Sequence, residues 1–426
     1  MKHFFTSLIA PLHWYEKVEY CLMALMAVAL PIHWRLGLWG LVLLLVFTLV
    51  KSVTTHRIGN PSLTHPIRIC LYLMMLYYLV HVCSVAYSSD SQEGWAIVGL
   101  KLPLLLLPLY FLLSDTSYLR RQHVSAFSYL LAGTLTVRFV IMAIRAIIGY
   151  LNGTPISLLV DFHFDPLHHN YMALYLLTAI ALLYVELVRH TDDAHWRVGR
   201  WLLAADMVVL MMYLVILGSR SGLVVLALLA VACLAHLAFV RKRWMLTGLT
   251  VAALVVMIGG SYLAMPTLYW RIIYSVEKIA AGEQGDGRQV MWQCGAEALK
   301  GHELIGYGCG GYWDVLHERY EAHDFAEGYT HEKYSTHNQY LETALSTGII
   351  GLVLLLAMVI MPMVLALHKP RRNLPMMLFS IVYGLCIAFE ATFGRQMGLL
   401  FVSWWYCALL LNPAPLEHQE LTTSQG

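Results

Sequence analysis

The stretch Ser335-Thr336-His337-Asn338-Gln339-Tyr340-Leu341-Glu342 stands where a long polar segment gives way to a long apolar run. An imidazole, with an unperturbed pKa of about 6.5, suits general-base work at neutral pH. The amides of Asn338 and Gln339 are placed to orient that ring or a substrate hydroxyl, although Thr336 and Asn338 are equally the residue types that cap a helix. Arginine supplies the complementary chemistry, because its planar fork holds phosphate oxygens in pairs. Arg220 lies in the tight turn Gly218-Ser219-Arg220-Ser221-Gly222, and Arg288 opens Gly287-Arg288-Gln289-Val290-Met291-Trp292, one helical turn from Trp292. Within Asp161-Phe162-His163-Phe164-Asp165-Pro166-Leu167-His168-His169-Asn170, three histidines and two carboxylates invite a metal reading. The stretch lacks HExxH and CxxC spacing, and Pro166 breaks any helical register, so three readings stay open: a metal site, a polar rim touching substrate, and an interfacial loop. No metal is assigned. Gly306-Tyr307-Gly308-Cys309-Gly310-Gly311 lacks the Lys-Ser/Thr of a phosphate-binding P-loop and reads as a turn.

The elements that must position these residues are membrane spans. Of 426 residues, 59% are hydrophobic and 13% charged, against roughly 25% charged in a soluble domain. A helix needs about 20 apolar residues to cross a bilayer core. Such runs fall at 18 to 33, 35 to 52, 67 to 87, 94 to 113, 122 to 151, 171 to 189, 201 to 218, 222 to 240, 244 to 265, 337 to 367, 374 to 393 and 396 to 412. The expectation is an all-α, polytopic membrane protein with about twelve spans, forming a single integral membrane domain over 1–426. The first apolar run begins late and leads into further spans, which argues against a cleaved signal peptide.

Net charge is only +2, so total charge does not select a partner, and no nucleic-acid partner is expected. Its distribution says more. Lys51 and Arg57; Arg120 and Arg121; Arg189, Arg197 and Arg200; Arg241, Lys242 and Arg243; and Lys369, Arg371 and Arg372 fall in every second loop. The positive-inside rule assigns those loops, and both termini, to the cytoplasm. The segment 266–336 then becomes an extracytoplasmic loop between spans nine and ten. It is expected to carry short helices, beginning with one on the membrane surface from Pro266, whose Arg271 is solvated, and followed by a glycine-rich link over 282–287. Of eight cysteines, only Cys294 and Cys309 lie outward, where an oxidising compartment could join them.

Ionisable residues inside spans are costly unless they face a partner or a wet cavity. Arg138 and Arg145, seven apart on one face of span five, Lys101 in span four, Arg220, Glu390 and Arg395 all fall in the outer half of the membrane. Snorkelling, or an ion pair of Glu390 with Arg395 or Lys101, explains any one of them. Gathered at one depth, the cations fit a site for a polyanion.

The order of the motifs resembles the O-antigen ligase and polymerase superfamily of bacterial membrane glycosyltransferases. The matching pieces are the Gly-Ser-Arg-Ser-Gly turn at 218–222, Arg288-x-x-x-Trp292, the Gly-x-Gly run at 306–308, and His337-Asn338 opening a span that continues Gly348-Ile-Ile-Gly351-Leu. The resemblance covers roughly residues 205 to 365. It implies a GT-C-like enzyme that needs neither metal nor nucleotide and acts on sugars carried by undecaprenyl diphosphate at the periplasmic face of the inner membrane. It also implies that Arg220 and Arg288 hold the donor diphosphate and that His337 is the catalytic histidine. Arg138 and Arg145 join the diphosphate set from depth and sign alone, with Asn338, His168, His169 and Lys101 as supporting candidates. The absence of an added C-terminal domain favours a ligase, with lipid A core oligosaccharide as acceptor and membrane lipids as surroundings. A polymerase, a protein O-oligosaccharyltransferase and, from another class, a secondary anion transporter remain alternatives. Transporters of that size usually show two related halves, and no internal repeat is visible.

Overall fold

Inside lipid a backbone must satisfy its own hydrogen bonds, and a helix does so within one segment. The computed structural model describes residues 8–55, 58–153, 168–190, 196–244, 287–331, 333–368 and 370–411, and every regular element among them is helical. Among the described residues, eight helical stretches, one of them the interrupted Ser91–Leu113, are long and apolar enough to cross a membrane. The chain is thus an all-α, multi-pass membrane protein. Three further expected spans are helical but fall short of that measure. Trp14–Ile32 carries Glu16, Lys17 and Glu19, while Asn373–Phe389 and Gln396–Leu410 are shorter. The span expected at 244 to 265, the surface helix with Arg271 and the glycine link lie outside the described residues, save for Trp244 and Gly287.

Helices α1 (Trp14–Ile32) and α2 (Trp34–Thr55) form a hairpin around His33. After α3 (His65–Ser84), the span expected as one helix from 94 to 113 divides into α4 (Ser91–Leu100) and α5 (Pro103–Leu113). Pro103 causes the break, since it lacks an N–H and clashes with the preceding turn. Lys101 is left at the corner, buried. Next come α6 (Arg121–Leu151), α7 (His169–Arg189), α8 (Arg197–Ile216) and α9 (Arg220–Ala235), the last continued by a π turn over His236–Val240. Beyond 287 the loop helices are α10 (Gly287–Leu299), α11 (Tyr312–Ala322) and α12 (Ala326–Tyr329), followed by α13 (Gln339–His368), α14 (Pro370–Phe389) and α15 (Gln396–Leu410).

Two helices lie at the centre. α7 is buried along almost its whole length against α6, α8, α9 and α14, and α15 is buried against α1, α2, α5 and α14. A helix that is apolar all round belongs in such a position. The loop helices build a smaller core of their own. Val290, Met291, Cys294 and Ala298 of α10 meet Tyr312, Leu316 and Tyr320 of α11, and Leu345 of α13 closes it from below.

Helix α13 opens at Gly348, whose φ of +63° is tolerated by glycine at little cost. The break is filled by the loop: Ile349 N donates to Glu303 O at 2.7 Å and Tyr307 N to Leu345 O at 2.8 Å. A Cβ on Gly348 would lie 2.2 Å from Leu304 O, and one on Gly310 would lie 2.0 Å from Asp90 O. The glycine run over 306–311 is therefore a turn packed on other backbone.

One possibility that the sequence left open is answered here, and one reading changes. Cys294 and Cys309 are both buried and unbonded. Cys294 Sγ faces Arg319 O at 3.6 Å, whereas Cys309 Sγ lies 2.9 Å from Ser84 Oγ and 3.4 Å from His81 O. Lys51, read as a loop cation, is instead buried within α2, bonded to Glu19 Oε2 at 2.6 Å and to Asp115 O at 2.8 Å. Lys51→Met would strand Glu19, which is fully buried, and should cost about 3–5 kcal/mol. A fall in the Tm of the purified protein in detergent checks this; an unchanged Tm would show that the pair contributes nothing.

Candidate active site

The entry to α13 is built by local hydrogen bonds. Asn338 Oδ1 accepts from Tyr340 N at 3.0 Å and Leu341 N at 3.2 Å, so Asn338 caps the helix. Thr336 Oγ1 donates to Asn338 O, and Ser335 Oγ accepts from His337 N at 3.0 Å. These contacts hold His337 at φ +48°, in the left-handed region that few non-glycine residues occupy and that clusters at functional sites. Its side chain is 26% exposed, and its Nδ1 lies 3.1 Å from Glu390 Oε1.

Glu390 follows the last residue of α14 and is buried. Its second oxygen accepts a hydrogen bond from Asn170 Nδ2. Asn170 Oδ1 in turn accepts from Ser219 Oγ at 3.2 Å and Ser221 Oγ at 3.3 Å, the two serines that flank Arg220. Ser219 also caps α9 by accepting from Gly222 N. A continuous relay thus joins the Gly-Ser-Arg-Ser-Gly turn, the start of α7, the end of α14 and His337. The 390–395 connection is fixed from the other side as well. Lys101 Nζ donates to Phe393 O at 3.2 Å, Phe393 N to Gln339 Oε1 at 2.6 Å, and Gln396 Nε2 to Leu100 O at 3.0 Å.

The electrostatics follow from these contacts. The buried Glu390 carboxylate is held on one oxygen by His337 and on the other by Asn170. Burial lowers the His168 imidazole; Glu390 opposes this, while repulsion from His337, Arg395 and Arg288 adds to it. His168 therefore senses all four of those groups together.

All of these but Arg288 line a cavity of about 680 Å³. His168, His337, Glu390 and Arg395 line one part, and His81, Lys101, Cys309, Tyr312 and Glu342 line another. Glu342 is buried and accepts from Tyr312 OH at 2.6 Å and Ser335 Oγ at 3.3 Å. The Lys333–Glu93 salt bridge, at 2.6 Å, lies at the wall. The arrangement offers a histidine whose Nδ1 is held by a carboxylate, beside several fixed cations. Such a set can take a proton and stabilise a departing anion.

The candidates from the sequence distribute unevenly. His337, His168 and Lys101 line the cavity; Arg288, at the first turn of α10, acts electrostatically on His168; Arg220 stands exposed between the two serines of the relay. His169 begins α7, its ring centroid 4.1 Å from that of His168. Arg138 is elsewhere, donating to Pro31 O at 2.8 Å and Ile32 O at 3.1 Å at the tip of the α1–α2 hairpin. Arg145 is exposed on the far part of α6. Asp161, His163 and Asp165 lie outside the described residues. Among the described residues, no three His, Cys, Asp or Glu side chains converge as a metal site.

The sequence offered an ion pair with Arg395 or Lys101 as one explanation of Glu390 and gave Asn170 no role of its own. Among the described residues, Glu390 instead pairs with His337 and Asn170. The available signal was chemical: a histidine base needs an acceptor on its other ring nitrogen, and Glu390 was the carboxylate at matching depth.

The fold and site define a multi-pass, all-α membrane protein in which a helical loop covers a cavity lined by Lys101, Lys333 and Arg395 together with Glu93, Glu342 and Glu390. Residues 205–356, from α8 into α13, match the family described as O-Antigen ligase. That stretch, about a third of the chain, contains Arg220, Arg288 and His337 and is similar to this family. No curated protein matches the chain.

Proposed function

We propose that this protein is an O-antigen ligase, transferring O-antigen polysaccharide from undecaprenyl diphosphate to the lipid A core oligosaccharide. The reaction takes place at the periplasmic face of the bacterial inner membrane, with both termini in the cytoplasm. The observation that carries this reading is His337 Nδ1 on the Glu390 carboxylate, at 3.1 Å, in the cavity that Lys101 and Arg395 also line.

The chemistry proceeds as one displacement. With Nδ1–H donated to Glu390, His337 presents Nε2 as an acceptor and takes the proton of the acceptor hydroxyl. That oxygen attacks the anomeric carbon as the bond to the diphosphate oxygen breaks, and the bonding pair leaves with the diphosphate. The anomeric centre is inverted and no covalent enzyme intermediate forms. Glu390 stabilises the imidazolium, which then returns its proton to water. Arg220 and Arg288, with Arg395 and His168 nearby, counter the charge gathering on the leaving group. Fixed guanidinium groups in a poorly hydrated site act most strongly in the transition state, the electrophilic task that a divalent cation performs in other glycosyltransferases. Lys101 and Gln339 act at one remove, by pinning the backbone of Phe393.

Donor binding tests the diphosphate site. Arg288→Ala removes a charge-assisted contact worth about 1.5–3 kcal/mol, so the Kd for undecaprenyl-diphosphate-linked glycan should rise about 10- to 100-fold. Binding unchanged from wild type would take Arg288 out of the donor site.

A further inference from the structure

A second cavity, of about 570 Å³, opens at the other end of the bundle. Helix α7 spans the distance between the two. His168, just before its start, lines the first cavity and Arg189, in its last turn, lines the second, roughly 30 Å away at 1.5 Å per residue. The walls of the second cavity come from α6, α7, the start of α8, the π turn after α9, and α14.

Its charge is lopsided. Among the described residues that line it, Arg121, Arg189 and Arg241 face one carboxylate, Glu186. That carboxylate is buried and committed: it accepts from Ser125 Oγ at 2.9 Å, from Tyr129 OH at 3.1 Å and from Arg189. Arg189 Nε is buried and has no hydrogen-bond partner among the described residues. Arg241 donates to Val188 O at 2.7 Å through one of its nitrogens, which occupies a carbonyl at the end of α7. The first positions of α6 and the N-cap of α8 also border the space, and helix N-termini carry partial positive charge. Trp196, stacked on His190 with centroids 4.0 Å apart, forms an aromatic side wall.

The positive-inside rule asks only for cations in solvated loops. It does not ask for three arginines walling a cavity between helices around a satisfied, buried glutamate. Guanidinium forks in that setting match phosphate oxygens, and basic pockets between membrane helices take up phosphate-bearing headgroups. We propose that this cavity is a second anion site, remote from the transfer site, that binds a phosphate group either from the headgroup of an anionic phospholipid or from free phosphate.

The test uses the full-length protein in neutral detergent, titrated separately with a short-chain phosphatidylglycerol and with inorganic phosphate, with Tm as the readout. One probe should raise Tm in a saturable manner. The Arg121→Gln/Arg241→Gln variant, which leaves the Glu186–Arg189 pair intact, should need at least about tenfold more probe, whereas Arg288→Ala should respond as wild type does. Stabilisation by phosphatidylglycerol alone identifies a lipid headgroup, and equal stabilisation by inorganic phosphate identifies a soluble anion. No stabilisation of the wild type, or an undiminished response in the double variant, overturns the proposal. If the double variant does not fold, Arg241→Gln alone gives the same reading.

Discussion

Replacement of His337 by alanine is expected to abolish glycan transfer while leaving donor binding within a few-fold of wild type. Loss of a positioned general base typically costs about 10²- to 10⁴-fold in turnover. Here it also removes the ring nitrogen that faces the buried Glu390. The contacts that hold the cationic side of the cavity, from Asn170 to the serines around Arg220 and from Lys101 to Phe393, do not pass through the imidazole. Donor affinity should therefore persist. One structural side effect must be separated: φ at this position is +48°, and an alanine there costs about 1–2 kcal/mol. His337→Asn tolerates that backbone better and still lacks the base. Both variants should bind donor and fail to transfer. Wild-type turnover in either one would remove His337 from the chemistry.

Glu390→Gln should be nearly as damaging, by a different route. The two carboxylate oxygens each accept a hydrogen bond, one from His337 and one from Asn170. An amide has only one such oxygen, so one of the two bonds must fail. If the amide nitrogen faces His337, Nδ1 becomes an acceptor and the proton moves to Nε2, where the base is needed. If it faces Asn170, two donors oppose each other and the relay to the Arg220 turn breaks. In either arrangement kcat should fall about 10²-fold or more, with KM for the donor changed much less. Single-turnover transfer with donor binding measured in parallel separates the two quantities. Equal loss of both would mark Glu390 as merely structural.

The spans were legible because the apolar runs are long and the charged residues few, and the breaks were not. Lys101 sits in the middle of an apolar run, but the corner there depends on Pro103 and on neighbours that only folding brings together; its contact with Phe393 joins parts of the chain far apart in sequence. His337, Arg220 and Arg288 were visible as types in a recognisable order. Their common partner was not, since Glu390 comes 53 positions after His337 and reaches it only through the packing of α13 on α14. Depth alone did not show the surroundings of Arg138. Its guanidinium donates to the carbonyls that end α1, and it is not among the residues that line the first cavity. Charge at a given depth identifies a layer; which face of a helix a residue occupies, and what packs there, decides whether it belongs to a site.

The most direct test is reconstituted transfer. Purified full-length protein is mixed with undecaprenyl-diphosphate-linked glycan and lipid A core oligosaccharide, with a chelator and without nucleotide, and the product is resolved on a gel. The expected result is glycan joined to the core by the wild-type protein and no joined product from the His337→Ala and Glu390→Gln variants. Longer glycan on the carrier, with none on the core, would assign polymerase activity instead. Anion flux in liposomes with no transfer to any acceptor would contradict the enzymatic assignment itself.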